Sequence, residues 1–181
     1  MGIDPGFGSS AFGVVVTQFV DGQIQIMHAE EYQRPDFNQM LSIVLDDLYI
    51  RKFKKAVNNI FIDGANPSFI RALKIEIGDE DEEYEPLVER ARKMKSDISN
   101  YMQVIPVNFS SEHKTMLGNC KMLLEKDGGY SAVNPRFYKL ITSLRTAVGQ
   151  NEGVLDKEAT SYDDVFDAFR LAIVFYKLRE E

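Results

Sequence analysis

Apolar and polar positions divide this chain into strands and helices in a definite order. Phe12 to Val20 is rich in β-branched and aromatic residues, and Asp21-Gly22 is a two-residue hairpin signal. Gln23 to Tyr32 sets Ile24, Ile26 and His28 against polar neighbours, the alternation of a returning strand. Only Met1 to Ile3 precede Asp4 on a first short strand, less than the usual ~5–6 residues. That abrupt start is the expected mark of a domain cut from a longer chain.

Helical spacing then takes over. Asp36 to Phe53 places Met40, Leu41, Val44, Leu45, Leu48 and Tyr49 on one face. Asn59 to Asp63 reads as a short buried strand closed by Gly64, and Pro67 opens a helix as a first-turn proline can. Gly78 to Tyr84 reads as a solvated loop and Glu85 to Ser99 as a helix with a basic outer face. Gln103 to Phe109 reads as the last strand, and Lys114 to Glu125 as an amphipathic helix ended by Gly128-Gly129. Asn134-Pro135 opens a helix to Ala147, Asn151 to Thr160 forms a loop, and the final helix runs from Tyr162 to Leu178. The fold class is α/β: a five-stranded mixed sheet flanked by helices in a single domain over residues 1–181. Strands one to three are antiparallel, and four and five run parallel to the first after helical crossovers. Strand four beside strand one sets Asp63 next to Asp4.

At 181 residues one sizeable core is expected. No apolar run approaches the ~18 residues of a membrane span, and no secretory leader pattern is present. A single cysteine, Cys120, excludes an internal disulfide and a cysteine zinc cluster, and reads as a small buried residue. A reducing, intracellular setting fits that usage. The net charge of −7 argues against coating nucleic acid by electrostatics alone. It leaves room for a nuclease, because a metal would neutralise clustered carboxylates.

The candidate chemistry is acidic. Ser161 stands three residues before Asp164, a capping-box-like helix start with Asp in place of Glu. Asp163 and Asp164 also suit the positive end of a helix dipole. Asp164 and Asp167 share a face one turn apart, and Asp167 lies among Val165, Phe166, Ala168 and Phe169, where a carboxylate needs a partner or a metal. Asp163 is expected to point away or to stand in as an outer ligand. Asp63 before Gly64 and Asp4 before Pro5-Gly6 can each be plain turn residues. Taken together, they sit at the ends of elements that the topology brings together.

These motifs carry a resemblance. Gly2-Ile3-Asp4-Pro5-Gly6, Phe61-Ile62-Asp63-Gly64 and Tyr162-Asp163-Asp164-Val165-Phe166-Asp167-Ala168 resemble the C-terminal nuclease domain of viral large terminase subunits. That family lies within the RNase H-like, RuvC-type superfamily. Val107-Asn108-Phe109 with Lys114, and Asn134-Pro135-Arg136-Phe137 through Leu140 and Leu144, resemble its connecting region. The resemblance implies an RNase H-like fold and endonuclease cleavage of double-stranded, concatemeric viral DNA during packaging. It implies two Mg²⁺ or Mn²⁺ ions, with Asp4 bridging both, Asp63 binding one, and Asp164 or Asp167 the other. It also implies an N-terminal ATPase half, a small terminase subunit and a portal as partners, in the cytoplasm of an infected host cell. No Walker-type loop occurs here. Tyr162 stands where relatives often carry His, which puts a histidine ligand in question.

Around the acids, Lys114 and Lys157 are the expected phosphate contacts. His113 reads as a surface histidine. Lys121, Lys126, Arg136, Lys139 and Arg145 form a solvated face that can double as a basic strip. Tyr130, Phe137 and Tyr138 read as packing residues before base-stacking ones. Rival readings are a Holliday-junction resolvase, an actin-like or sugar-kinase-like ATPase domain built on Asp4 and Gly6, and a non-catalytic motor assembly module.

Overall fold

The computed structural model describes residues 1–6, 10–21, 23–54, 56–77, 102–125, 133–149 and 154–174. Five strands form one sheet in the order β3-β2-β1-β4-β5: β1 (Gly2–Asp4), β2 (Phe12–Val20), β3 (Gln23–Tyr32), β4 (Asn59–Asp63) and β5 (Gln103–Val107). β1 pairs antiparallel with β2 and parallel with β4, and β4 pairs parallel with β5. The mixed sheet, with β4 parallel and beside β1, is the one the sequence predicts. Its helices are α1 (Phe37–Ser42), α2 (Pro67–Ile77), α3 (Phe109–Glu125), α4 (Tyr138–Thr146) and α5 (Asp163–Ala172).

Alternation along the strands feeds two cores. Ile3, Val14, Val16, Ile60 and Ile62 face α1 and α2, packing on Met40, Val44, Phe69 and Leu73. On the other face, Val15 meets Val165, Ala168, Phe169 and Ala172 of α5, and Leu140 of α4. Phe61 and Val107 meet Leu171 and Met116 there, and Cys120 is buried as expected. α5 is thus the central helix of its layer, lying across β1 and β2.

Two glycines set how closely it lies. A Cβ on Gly2 would stand 2.1 Å from the Ala168 carbonyl oxygen and 2.3 Å from Ala172 N. One on Gly13 would stand 2.1 Å from the Asp164 carbonyl oxygen. Neither gap admits a side chain, so the helix backbone rests directly on the sheet.

Several local readings are corrected. Asp36 does cap the first helix in a reciprocal box with Gln39, but beyond Ser42 the chain continues as a π-helix over Ile43–Lys52. The buried positions Met40, Val44 and Leu48 repeat every four residues. On an α-helix such a stripe drifts by about 40° per step, and a wider π turn brings it back toward the sheet. Phe109 begins α3 instead of ending β5, and α4 starts at Tyr138, after a turn in which Phe137 N–H donates to the Asn134 carbonyl. The expected loop at 78–84, the helix at 85–99, the Gly128-Gly129 break, Lys126, Tyr130 and the end of the last helix past Val174 lie outside the described residues.

β3 carries a bulge. Thr17 pairs with Ile26 but Val16 with His28, leaving Met27 as the extra residue. Ile26 and His28 therefore fall on opposite faces, against the simple alternation. Beyond the bulge Ala29 and Glu31 join the α5 face, with Glu31 opposite Gly13.

Candidate metal centre

The acids gather at one end of the sheet. Ile3 pairs with Ile62 in the parallel β1–β4 ladder, so the following residues, Asp4 and Asp63, end neighbouring strands. Asp4 also pairs with Gly13, over which α5 passes. The N-terminal half of α5, which bears Asp164 and Asp167, thus lies above Asp4.

The consequence is mutual repulsion. Burial first, then the Asp167 and Asp164 carboxylates, push the Asp4 carboxyl up to about 8, against Lys157 and a hydrogen bond from Gly6 N–H. Burial and then Asp163 raise Asp164 to about 6, although Ala11 N–H donates to Asp164 Oδ2 at 2.9 Å. Glu31 is a further acid, which the sequence reading missed. Val165 N–H donates to its Oε2 at 3.4 Å, while burial and then Asp163 raise its carboxyl above the ordinary value, outweighing that hydrogen bond.

The expected capping box does not form. Tyr162 occupies the N-cap in a left-handed conformation (φ 55°), without a side-chain hydrogen bond. Asp164 turns instead to the β1–β2 connection through Ala11, and Ser161 N–H donates to Thr146 Oγ1 at 3.0 Å. Asp63 Oδ1 accepts from Ala65 N–H at 3.0 Å, the turn role its Asp-Gly context allows.

Asp167 is buried (1% exposed) and found its partner in a residue the sequence reading passed over. Arg170, 0% exposed and one turn along, pairs with Asp167 Oδ1. Its guanidinium lies 4.6 Å from the Phe109 ring centroid and 5.4 Å from that of Phe166. Aromatic faces and a carboxylate together make that buried cation tolerable. The spacing Asp167 to Arg170 was the available signal, an acid and a base on one helix face. His113, half-buried, joins this cluster. Leu155 N–H donates to its Nε2 at 2.9 Å, and Arg170 Nη1 lies 3.2 Å from its Nδ1. A neutral imidazole accepts at one nitrogen only, so one of the two contacts is a hydrogen bond at a time. Burial and then Arg170 lower its basicity.

Lys157 stands among the acids. Its Nζ is 3.0 Å from Asp167 Oδ2 and 3.7 Å from Asp163 Oδ2, so Asp163 faces the cluster instead of pointing away. Burial would lower the ammonium's pKa, but Asp167 first, then Asp4 and Asp163, hold it above its ordinary value. Lys114 is exposed on α3. Lys139 is taken by Glu30 and the Glu31 carbonyl, and so leaves the expected basic strip. Phe137 is buried, as packing requires, whereas Tyr138 is exposed.

Among the described residues no three His, Cys, Asp or Glu side chains stand closed on one point as they would around an ion. Asp63 is turned to its own loop and Asp167 to two cations. The donor set nevertheless fits a hard divalent cation: oxygens only, crowded enough to hold protons, with an ammonium already drawn among them. A cavity of about 340 Å³ at the opposite end of the sheet, lined by Met1, Thr17, Phe19 and Asn59, includes none of these acids.

One solved structure decides the architecture. The chain superposes on the large terminase nuclease domain from bacteriophage SPP1, determined with bound Mn, at a TM-score of 0.55. The match covers 96% of this chain and 83% of that one, at 14% identity. The fold is that of a terminase nuclease domain. No protein-family model matches the sequence, and a comparison with curated proteins finds no match. The terminase-nuclease likeness is therefore one of architecture: an RNase H-like sheet of five strands with helices on both faces. Among the described residues no helix is long and apolar enough to cross a membrane.

Proposed function

We propose that the chain is a metal-dependent endonuclease that cuts double-stranded, concatemeric viral DNA during genome packaging. What supports this reading is that Asp4 pairs with Gly13, beneath the helix that bears Asp164 and Asp167, in a fold shared with a phage nuclease domain that was crystallised with Mn. Asp4, Asp63 and Asp164 are the residues that would hold Mg²⁺ or Mn²⁺, with Asp167 completing the set. Such ions supply a polarised phosphodiester and a water acidic enough to attack it.

The chain's own residues do the rest. Gly2 and Gly13 let α5 rest on the sheet, so the acids of β1 and α5 hold a fixed separation. Asp4, whose carboxyl is raised by burial and by its acidic neighbours, would bind a cation in its charged form. Arg170 holds Asp167 in one orientation. Lys114, exposed on α3 after β5, is a phosphate contact on this reading. The same reading places the domain beside an ATPase half, with the small terminase subunit and portal as partners, in an infected cell.

Supercoiled plasmid incubated with Mg²⁺ or Mn²⁺ tests it. Nicking and linearisation by the wild type, abolished by chelator and by Asp4→Asn, are expected. Equal cutting by Asp4→Asn removes Asp4 from the chemistry. Strong preference for a four-way junction over linear duplex favours a resolvase instead.

A further inference from the structure

Asp167 is held by two cations of different kinds. On Oδ1 sits Arg170, fully buried and enclosed by Phe109 and Phe166. On Oδ2 sits Lys157, whose side chain is 55% exposed. The first cannot leave without opening the core. The second can leave by rotating its own four-carbon stem.

The backbone beneath Lys157 is held in place. Asp156 Oδ1 accepts from Glu158 N–H and Ala159 N–H, both at 3.1 Å, and the Asp156 carbonyl accepts from Thr160 Oγ1 at 2.6 Å. Leu155 N–H is fastened to His113 and Ser161 N–H to Thr146. A fixed turn thus delivers one half-exposed ammonium to the acids of α5.

Resting on the nuclease reading, we propose that Lys157 is a displaceable counter-cation of the acid cluster. It holds Asp167 and Asp163 while no divalent ion is present. A divalent ion held by the acids would supply the positive charge that Lys157 now supplies to Asp167, and would free the ammonium for a phosphate of the DNA backbone. Lys157 is then a positioning residue whose two partners, carboxylate and phosphate, are occupied in turn. Metal loading and DNA binding are coupled through one side chain. No bond is made or broken in this exchange; a +1 charge leaves the carboxylates as a +2 charge arrives.

The test is Mn²⁺ binding, read by the loss of the free-ion electron paramagnetic resonance signal, in wild type, Lys157→Met and Lys157→Gln. Removing the competitor is expected to tighten Mn²⁺ binding roughly fivefold, the scale of one partly exposed ion pair. The metal-free Lys157→Met protein melts below wild type, and saturating Mn²⁺ erases the difference. Anisotropy with labelled duplex in Ca²⁺ supplies the other half: the ion strengthens DNA binding by wild type more than by Lys157→Met. Unchanged or weaker Mn²⁺ binding by both variants overturns the proposal while leaving the nuclease reading intact. A wild type that binds no Mn²⁺ overturns both. If Lys157→Met fails to fold, Lys157→Gln, which keeps a polar end, decides the matter.

Discussion

Replacing Asp4 with Asn should stabilise the metal-free protein while destroying its proposed chemistry. The Asp4 carboxyl is pushed from 3.8 to about 8, so the folded state holds a proton that the unfolded chain releases between those values. Because the folded chain binds more protons in that window, stability falls as pH rises from about 4 to about 8 and is flat outside it. At pH 7 the gap from 3.8 is about 3 units, at ~1.4 kcal/mol each, a ceiling of roughly 4 kcal/mol. Asp4 is only partly buried by accessible surface, and solvent screening trims the figure to roughly 2 kcal/mol. Asn keeps the shape without the charge, so Asp4→Asn recovers that amount, about 4–8 °C in melting temperature for a chain of this size. Thermal melts of both proteins in chelator at pH 4.5, 6, 7 and 8 read it directly. The advantage of Asp4→Asn should be near zero at pH 4.5 and largest at pH 8. Added Mn²⁺ should raise the wild type and leave the variant where it was. A variant that melts below wild type at pH 8, or an advantage independent of pH, refutes the account of Asp4 as a repelled buried acid.

Asp167→Asn should do the opposite, because it leaves the Arg170 guanidinium buried without its counter-charge. A loss of about 3–5 kcal/mol in urea unfolding is expected; stabilisation would mean that Asp167 behaves like Asp4. Gly13→Ala drives a methyl group to 2.1 Å from the Asp164 carbonyl and must lift α5. It should cost about 1–3 kcal/mol and weaken Mn²⁺ binding, and titration of Mn²⁺ into the folded variant checks whether the helix height sets the site.

The sheet was legible because its signals are local and agree with one another. A hairpin dipeptide between two β-rich runs gives the β2–β3 pair, and helical crossovers force β4 and β5 to run parallel to β1. Asp4 beside Asp63 follows from that order. What escaped depends on one-residue detail or on distant contacts. A regular hairpin from Val20 opposite Gln23 would place Glu30 opposite Gly13; the bulge at Met27 places Glu31 there and turns the following residues to the other face. No composition rule announces that bulge. His113 looked like surface because its partners, Leu155 and Arg170, come from residues some forty and more positions later. Ser161 and Asp164 match a capping pattern, yet Ala11 offers Asp164 a buried donor, and the tertiary contact prevails over the local one. Lys157 was legible as a basic residue near the acids. That it points into them depends on the Asp156 turn.

The acids that meet here are written about 160 residues apart, Asp4 near the beginning and Asp164 in α5. During synthesis the strand bearing Asp4 is made well before the helix bearing Asp164. Until α5 seats on Gly2 and Gly13, Asp4 cannot meet Asp164. On the proposed reading, a fragment that stops short of α5 has no complete acid cluster and should not cut.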